Sequence, residues 1–247
     1  MDNLKNKVAV ITGGNSGIGY AAAKQLKEQG ATVIITGRRK EAVVKAASEL
    51  EVHAITADQS NVSDIENLAS KVKQDFGQVD ILFINAGITD KGTIEEATEA
   101  LFDSIININY KGAYFTLSKF IPILKDGASV VFLSSNTANM SYAGTSIYSS
   151  GKTALNAVMK IAALELAPRK IRVNSVSPGP TETEIMKKIG LNDEEVKILM
   201  DAIVDNIPLK KMGTAADVAK MVSYLSSDAA VFITGADFII DGGMVLA

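Results

Sequence analysis

Residues 7–20 read KVAVITGGNSGIGY, and the fold turns on how that stretch is read. Lys7 to Thr12 is a short run of β-branched and apolar residues, the pattern of a strand buried on both faces. It runs without a spacer into TGGNSGIG, Thr12 to Gly19, and from there into a segment of helical period. Glycines at such a junction let the backbone come close to a diphosphate. The helix start supplies free N–H groups and the positive end of its dipole. The spacing T-G-x-x-x-G-x-G is looser than G-x-G-x-x-G. A glycine-rich turn alone is weak evidence, because turns favour glycine anyway. Its place after a first strand and before a first helix points to a nucleotide, with Gly13, Asn15, Ser16, Gly17, Ile18 and Gly19 as candidate binding residues.

Outward from this turn the same alternation continues. Residues 17–30 carry Ile18, Ala22 and Leu26 on one helical face, and Gly30 as a stop. Strand-like runs follow at 31–36, 52–56, 79–85, 129–134, 170–176 and 237–241. Helical stretches fall at 40–50, 63–76, 146–167 and 214–226. Residues 93–125 also have helical pattern, as two helices or one bent one. Strand and helix alternate throughout with no linker or low-complexity segment. The expected fold is a single α/β domain over residues 1–247, a doubly wound, Rossmann-type parallel sheet of about seven strands with helices on both faces. One stretch, 179–212, breaks the rhythm. A long insertion in a compact domain is usually functional, and a substrate lid is expected there.

Composition removes several function classes. The 247 residues contain no cysteine and one histidine, His53, so thiolate metal sites, cysteine nucleophiles and disulfides are excluded. A Ser-His-Asp triad or a His-rich metal cluster would need His53. It lies in the strand-like run VHAITAD and reads as structural. The net charge is −3 and the sequence pI about 5.3, with no basic stripe for nucleic acid. No apolar run reaches the ~20 residues of a membrane span. The first residues, MDNLKNKVAV, lack the long apolar core of a signal peptide. A cytoplasmic protein is expected.

The second strand ends TGRR, with Arg38 and Arg39 where an Asp or Glu would favour NAD. Guanidinium pairs with phosphate in bidentate fashion, so these residues favour the 2′-phosphate of NADP(H). Ligand crevices of parallel sheets open at the carboxyl ends of strands. Ser134-Ser135 ends one strand and Asn85-Ala86-Gly87 ends another. In SIYSSGKTAL, Ser146 to Leu155, Tyr148 and Lys152 stand four apart at the start of the long helix and project from one face.

The chain resembles the short-chain dehydrogenase/reductase family. The matching pieces are TGGNSGIG, Asp58, NAG at 85–87, Asn109 in IININ, Ser135, YSSGK at 148–152 and SPGPTET at 177–183, in the family's order across nearly the whole length. The resemblance implies a hydride exchanged between nicotinamide and a ketone or secondary alcohol, with Tyr148 as acid/base. A phenol near pKa 10 is a poor base at neutral pH, and an ammonium at Lys152 would lower it. It further implies that Lys152 bonds the nicotinamide ribose, that Ser135 polarises the substrate oxygen, and that Asn109 sits at a helix kink and holds a relay water. Asp58 and Gln59 would meet the adenine, with Asn85, Ala86 and Gly87 on the ribose. Pro178 and Gly179 would pass the nicotinamide, Thr181 meet its carboxamide and Thr183 reach the phosphates. Members that prefer NADP often carry a basic residue just before the middle glycine of the turn. Ser16 holds that place here, so NAD(H) remains open.

Substrate selection is expected from TANMSYAG, 137–144, and from 179–212, with Met140, Tyr142, Met186, Ile189, Leu191 and Met200 as apolar, adaptable surface. No arginine stands out as a carboxylate clamp, so a neutral, hydrophobic small-molecule ketone or alcohol is expected. Reduction of a β-ketoacyl group on an acyl carrier protein would want a basic patch beside the cleft, for which Arg169, Lys170 and Arg172 are candidates. A lyase, epimerase or dehalogenase, and a non-catalytic dinucleotide sensor, are rivals that the intact Tyr148 and Lys152 oppose. The family implies a homotetramer. Ala154, Ala157, Ala162 and Ala163 permit close helix packing, and DGGMVLA is a candidate for contact with a neighbouring subunit.

Overall fold

The computed structural model describes residues 4–182 and 193–247. Seven strands make one parallel sheet: β1 (Val8–Ile11), β2 (Thr32–Gly37), β3 (His53–Thr56), β4 (Val79–Ile84), β5 (Leu124–Leu133), β6 (Arg172–Pro178) and β9 (Asp237–Ile240). Their order is β3-β2-β1-β4-β5-β6-β9. The winding reverses between β1 and β4, so a crevice opens at the carboxyl end of that pair. A second, two-stranded sheet pairs β7 (Thr181–Glu182) with β8 (Gly213–Thr214). It joins the two ends of the long insertion, within which α7 (Asp193–Asp205) lies.

Alternate strand residues feed two cores. Val10, Ile34, Leu82 and Val130 face α3 (Val62–Phe76), α5 (Ala113–Phe120) and α6 (Ser146–Leu166), packing with Leu68, Val72, Leu117, Phe120, Leu155 and Met159. Ile11, Ile35, Phe83 and Val131 face α1 (Gly17–Glu28), α2 (Lys40–Leu50) and α8 (Ala215–Ser226). This explains the continuous apolar strand runs, since both faces are covered. Each large side chain so enclosed contributes about 1.5–3 kcal/mol.

The structure corrects three boundaries. Residues 93–98 are not helical. Thr93 and Glu96 close a local turn, the Thr93 hydroxyl donating to the Glu96 carboxylate at 2.8 Å. Thr98 then caps α4 (Glu99–Ile106), its side chain accepting from the Leu101 N–H. Between α4 and α5 the backbone makes a π-helical turn, Asn107–Gly112. Strand β5 begins at Leu124, five residues before the apolar run, with Gly127 in the left-handed region (φ 84°). His53 stands exposed on the edge strand, edge-on to Phe76 at 4.8 Å between ring centroids.

Candidate active site

The glycine turn lies in the crevice. Gly13 (φ 64°) and Gly17 (φ 54°) adopt left-handed backbone. At Gly19 a Cβ would fall 2.4 Å from the Gly13 carbonyl oxygen and 2.5 Å from Asn85 Nδ2, so the first turn of α1 presses on the loop with no room for a side chain. A cleft of about 470 Å³ runs from this turn along the strand ends. It gathers Gly13, Asn15, Ser16, Gly17, Ile18, Arg38, Arg39, Asp58, Gln59, Asn85, Ala86 and Gly87, every one a candidate cofactor residue, and continues to Leu133. Thr36, Gly37, Ala57, Ile88 and Ile108 complete its walls. Arg38 and Arg39 are exposed at its rim. Neither side chain has a hydrogen-bond or ion-pair partner among the described residues. A cradle that a Cβ would fill, a helix start and two uncommitted guanidiniums fit a nicotinamide adenine dinucleotide.

Three of these residues line the cleft but spend their side chains elsewhere. Asn85 Nδ2 donates to the carbonyls of Thr12 (2.8 Å) and Gly13 (3.0 Å), lashing the end of β4 to the glycine turn. The buried Thr12 hydroxyl completes the lashing by accepting from the Asn85 and Ala86 N–H groups, both at 3.0 Å. Thr12 was therefore quoted in the motif without its role being visible. Gln59 behaves likewise. Its Nε2 donates to Thr116 Oγ1 at 2.7 Å, and Thr116 donates to the Gly112 carbonyl at 2.8 Å, so the side chain points into α5 and leaves only the backbone to meet a ligand. Asp58 holds Ser60 through its Oδ1, from N–H at 2.9 Å and from hydroxyl at 2.8 Å.

Asn109 also serves the backbone. It does sit at a kink, the π-helical turn, and is 1% exposed. Its amide grips one backbone unit, accepting from the Ile88 N–H at 2.8 Å and donating to the Ile88 carbonyl at 2.7 Å, with one N–H and one lone pair left over. The side chain therefore fixes the start of the loop after β4. A relay water would be held by what is left of the amide or by backbone groups that the π turn leaves out of ordinary helical pairing.

Ser135, Tyr148 and Lys152 come together beyond Leu133. Ser135 is buried at the N-cap of a short 3₁₀ turn, Asn136–Ala138. Its Oγ accepts from Thr137 Oγ1 at 3.0 Å, which leaves the Ser135 proton free to be donated. Ser135 is the polar side-chain neighbour of the half-buried Tyr148 phenol. Lys152 is 3% exposed. Its Nζ donates to the Leu133 carbonyl at 2.6 Å and lies 5.7 Å from the Tyr148 ring centroid. Burial pushes the ammonium down to about 8. It pushes the Tyr148 phenol up, and Ser135 is the group that opposes the rise. The expected lowering of Tyr148 by Lys152 is thus not what this arrangement gives. The ammonium is tied to a strand carbonyl and faces the ring.

Pro178, Gly179 and Thr181 do not line the cleft. Gly179 N–H donates to the Ile240 carbonyl at 2.9 Å, and Thr181 Oγ1 to the Gly179 carbonyl at 3.0 Å. A Cβ on Gly179 would meet Asp241 at 2.6 Å and Asn136 Nδ2 at 3.2 Å, so this wall packs on the residue after Ser135. Met140 and Tyr142 border a second cleft of about 390 Å³, lined with Thr137, Thr145 and Ser149 but not with Ser135 or Tyr148. Lys91 stacks over Tyr142, 5.5 Å from its centroid, and Gly92 N–H donates to the Gly144 carbonyl at 3.0 Å. Thr183, Met186, Ile189 and Leu191 lie outside the described residues.

Arg169, Lys170 and Arg172 are at the wrong end of the sheet to flank the cleft. They stand at the start of β6, whereas the site opens at its end. Arg169 is committed to Asp126 at 2.8 Å and to the carbonyls of Ile121 and Leu124. Arg172 donates to the Ser227 carbonyl.

A dinucleotide cleft with a buried Ser and Lys and a half-buried Tyr at the end of a parallel sheet defines a nicotinamide-dependent oxidoreductase. A family model described as enoyl-(acyl carrier protein) reductase matches residues 13–245. A 3-oxoacyl-[acyl-carrier-protein] reductase of Staphylococcus epidermidis is 33% identical over 249 residues, covering 98% of this chain and all of the relative. A mutant of a Serratia marcescens short-chain dehydrogenase/reductase superposes with a TM-score of 0.91 at 30% identity, over 98% of this chain and 99% of that one. A blue fluorescent protein from a metagenomic library, in complex with NADPH, superposes at 0.90 with 29% identity, over 98% and 99%. The chain belongs to the short-chain dehydrogenase/reductase family. It is an NAD(P)-dependent oxidoreductase. No helix among the described residues is long and apolar enough to cross a membrane.

Proposed function

We propose that the protein reduces a neutral, apolar ketone to a secondary alcohol, with NADPH preferred over NADH. The observation that carries this reading is the grouping of Ser135, Tyr148 and a buried Lys152 at the end of a cleft whose opposite rim carries two arginine side chains with no partner among the described residues. The coenzyme, when bound, supplies the hydride. Ser135 donates to the carbonyl oxygen and holds it against Tyr148. The raised phenol is protonated at neutral pH, the form that can give a proton to an oxygen gaining charge. Lys152 keeps a positive charge behind the phenol as that proton leaves. Arg38, supported by Arg39, takes the 2′-phosphate.

Replacing Tyr148 by Phe tests the chemistry. Oxidation of NADPH by activated and aromatic ketones falls about 10²–10⁴-fold, while NADPH binding, read by fluorescence, persists. Undiminished turnover would remove Tyr148 from the role. Arg38→Ala tests the coenzyme. One lost phosphate pairing costs about 1.5–3 kcal/mol, so the KM for NADPH rises about 10- to 150-fold and that for NADH stays near its starting value. Equal changes would overturn the 2′-phosphate assignment.

The acyl-carrier reading is supported by the relatives alone, since its basic residues lie at the other end of β6. The 179–212 segment, closed at its base by the β7–β8 pair, covers the substrate as a lid. Exposed Ala157, Ile161 and Leu164 make one apolar stripe on α6, which suits packing against a second copy in a homotetramer. Light scattering that returned a monomer would remove that assembly.

A further inference from the structure

Asp237 opens β9, and its carboxylate is the meeting point of four donors from three other parts of the chain. Ser175 Oγ (2.7 Å) and Ser177 Oγ (2.6 Å), both fully buried on β6, donate to Oδ1. Asn139 Nδ2 (2.9 Å) and Asn156 Nδ2 (3.1 Å) donate to Oδ2. No ion pair reaches Asp237 among the described residues, so its charge is met by neutral donors alone.

The donors' positions give this cluster meaning. Asn139 closes the 3₁₀ turn that Ser135 caps, four residues after the serine. Asn156 stands on α6 one turn after Lys152 and two turns after Tyr148. The platform beneath is rigid. Ser175 N–H donates to the Ala236 carbonyl (2.9 Å) and Asn174 Oδ1 accepts from the Ala236 N–H (3.1 Å), pinning the start of β9 to β6. One carboxylate thus ties the Ser135 loop and the Tyr148–Lys152 helix to the same point of the sheet. Asn156 adds a further mark. Its Oδ1 is buried without a partner while its Nδ2 reaches Asp237. An orphaned buried acceptor is unfavourable. The bond to Asp237 is what offsets it at this place on α6.

We propose that Asp237 is a positioning residue: it sets the register of the Ser135 loop against the catalytic helix, and touches neither substrate nor coenzyme. The proposal rests on the reading of Ser135, Tyr148 and Lys152 as the reacting set. It requires Asp237 to act on turnover and not on coenzyme affinity, because none of the residues bonded to it lines the dinucleotide cleft.

The test compares wild type with Asp237→Ala, Asp237→Asn, Asn156→Leu and Asn139→Ala, in the full chain. Ketone reduction gives kcat, fluorescence titration gives the NADPH dissociation constant, and amide hydrogen exchange reads the backbone. A misplacement on the order of 1 Å can cost about 100-fold in rate. The expected result for Asp237→Ala is therefore a kcat lowered about 10- to 100-fold, a dissociation constant within about twofold of wild type, and faster exchange in peptides spanning 135–140 and 146–158. Asp237→Asn keeps one acceptor and the shape, and falls between. If Asp237→Ala does not fold, the milder Asn156→Leu and Asn139→Ala carry the test, each cutting one tie and lowering kcat severalfold. Unchanged kcat in those two, or a dissociation constant that rises in step with the loss of kcat, would overturn the proposal. If wild type turns over no ketone, the ketone reading fails, and exchange alone decides. Protection unchanged at 135–140 and 146–158 in the variants would then overturn the positioning role.

Discussion

Replacing Lys152 by Met should make the folded protein more stable at neutral pH while removing activity. The ammonium is buried, its one hydrogen bond goes to the Leu133 carbonyl, and burial lowers it from 10.5 to about 8. A fall of that size corresponds to about 3.4 kcal/mol of cost for keeping the charge inside, at about 1.36 kcal/mol per factor of ten. Methionine has similar length and no charge. It loses the charged bond to Leu133, worth about 1.5–3 kcal/mol. The net expectation is a gain of about 1 kcal/mol at pH 7, or a melting temperature about 2–4 °C higher for a chain of this size. The pH dependence fixes the sign. Between the folded value of about 8 and the unfolded 10.5 the unfolded chain binds more protons, so wild-type stability rises with pH across that window. The advantage of Lys152→Met should shrink over the same window, vanish well below pH 10.5 and then reverse, because the neutral amine keeps its bond to Leu133. Urea unfolding of both proteins at pH 7 and at pH 10 measures it. A variant less stable than wild type at pH 7, or a difference that ignores pH, would refute the reasoning. Retention of a lysine that costs this much is what a functional site looks like in stability terms.

Three other outcomes follow from single contacts. Gly19→Ala places a methyl 2.4 Å from the Gly13 carbonyl and 2.5 Å from Asn85 Nδ2, so the turn has to open. The expected cost is about 1–3 kcal/mol, with NADPH affinity lost by fluorescence titration while circular dichroism keeps its α/β form. Thr116→Val keeps the shape but strips the hydroxyl between Gln59 and Gly112. Thermal unfolding should show a loss of about 1–3 kcal/mol, largely regained in Thr116→Ser; equal loss in both would mean that the methyl matters and the hydroxyl does not. Arg38→Ala and Arg38→Lys should differ in KM for NADPH, because lysine cannot offer a planar fork to the phosphate; identical values would argue for a simple point charge.

Most of the sheet was legible because its strands are short runs rich in β-branched and apolar residues bounded by turn signals, and six of the seven long-sheet strands lie within two residues of such a run, even where the strand is exposed (β3) or carries buried polar residues (β6). Strand β5 is the exception. Its first residues, Lys125, Asp126 and Gly127, are exposed and carry no apolar signal, although Leu124 pairs with Val79. The π-helical turn was legible only as a bend. Nothing in NINYKG separates it from an α-helix, and its position is set by Gly112 packing on the Gln59 carbonyl, a contact between residues far apart in the chain.

The site divides along the same line. Gly13, Gly17 and Gly19 are readable because their constraint is local: left-handed backbone, or no space for a Cβ. Tyr148 and Lys152 are readable because helical spacing alone puts them on one face. For Asn85, Gln59 and Asn109 the sequence marks the place but not the protein groups their side chains hold. A carboxamide donates and accepts equally well in two directions, and the direction is chosen by Thr12, Thr116 and Ile88, none of which sits beside its partner in sequence. Asp237 was not singled out at all. Its donors arrive from 60, 62, 81 and 98 residues away. A motif can therefore identify the groups that react and the glycines that admit the coenzyme. The groups that hold them in register are selected by the fold, through contacts made only after the strands have been ordered.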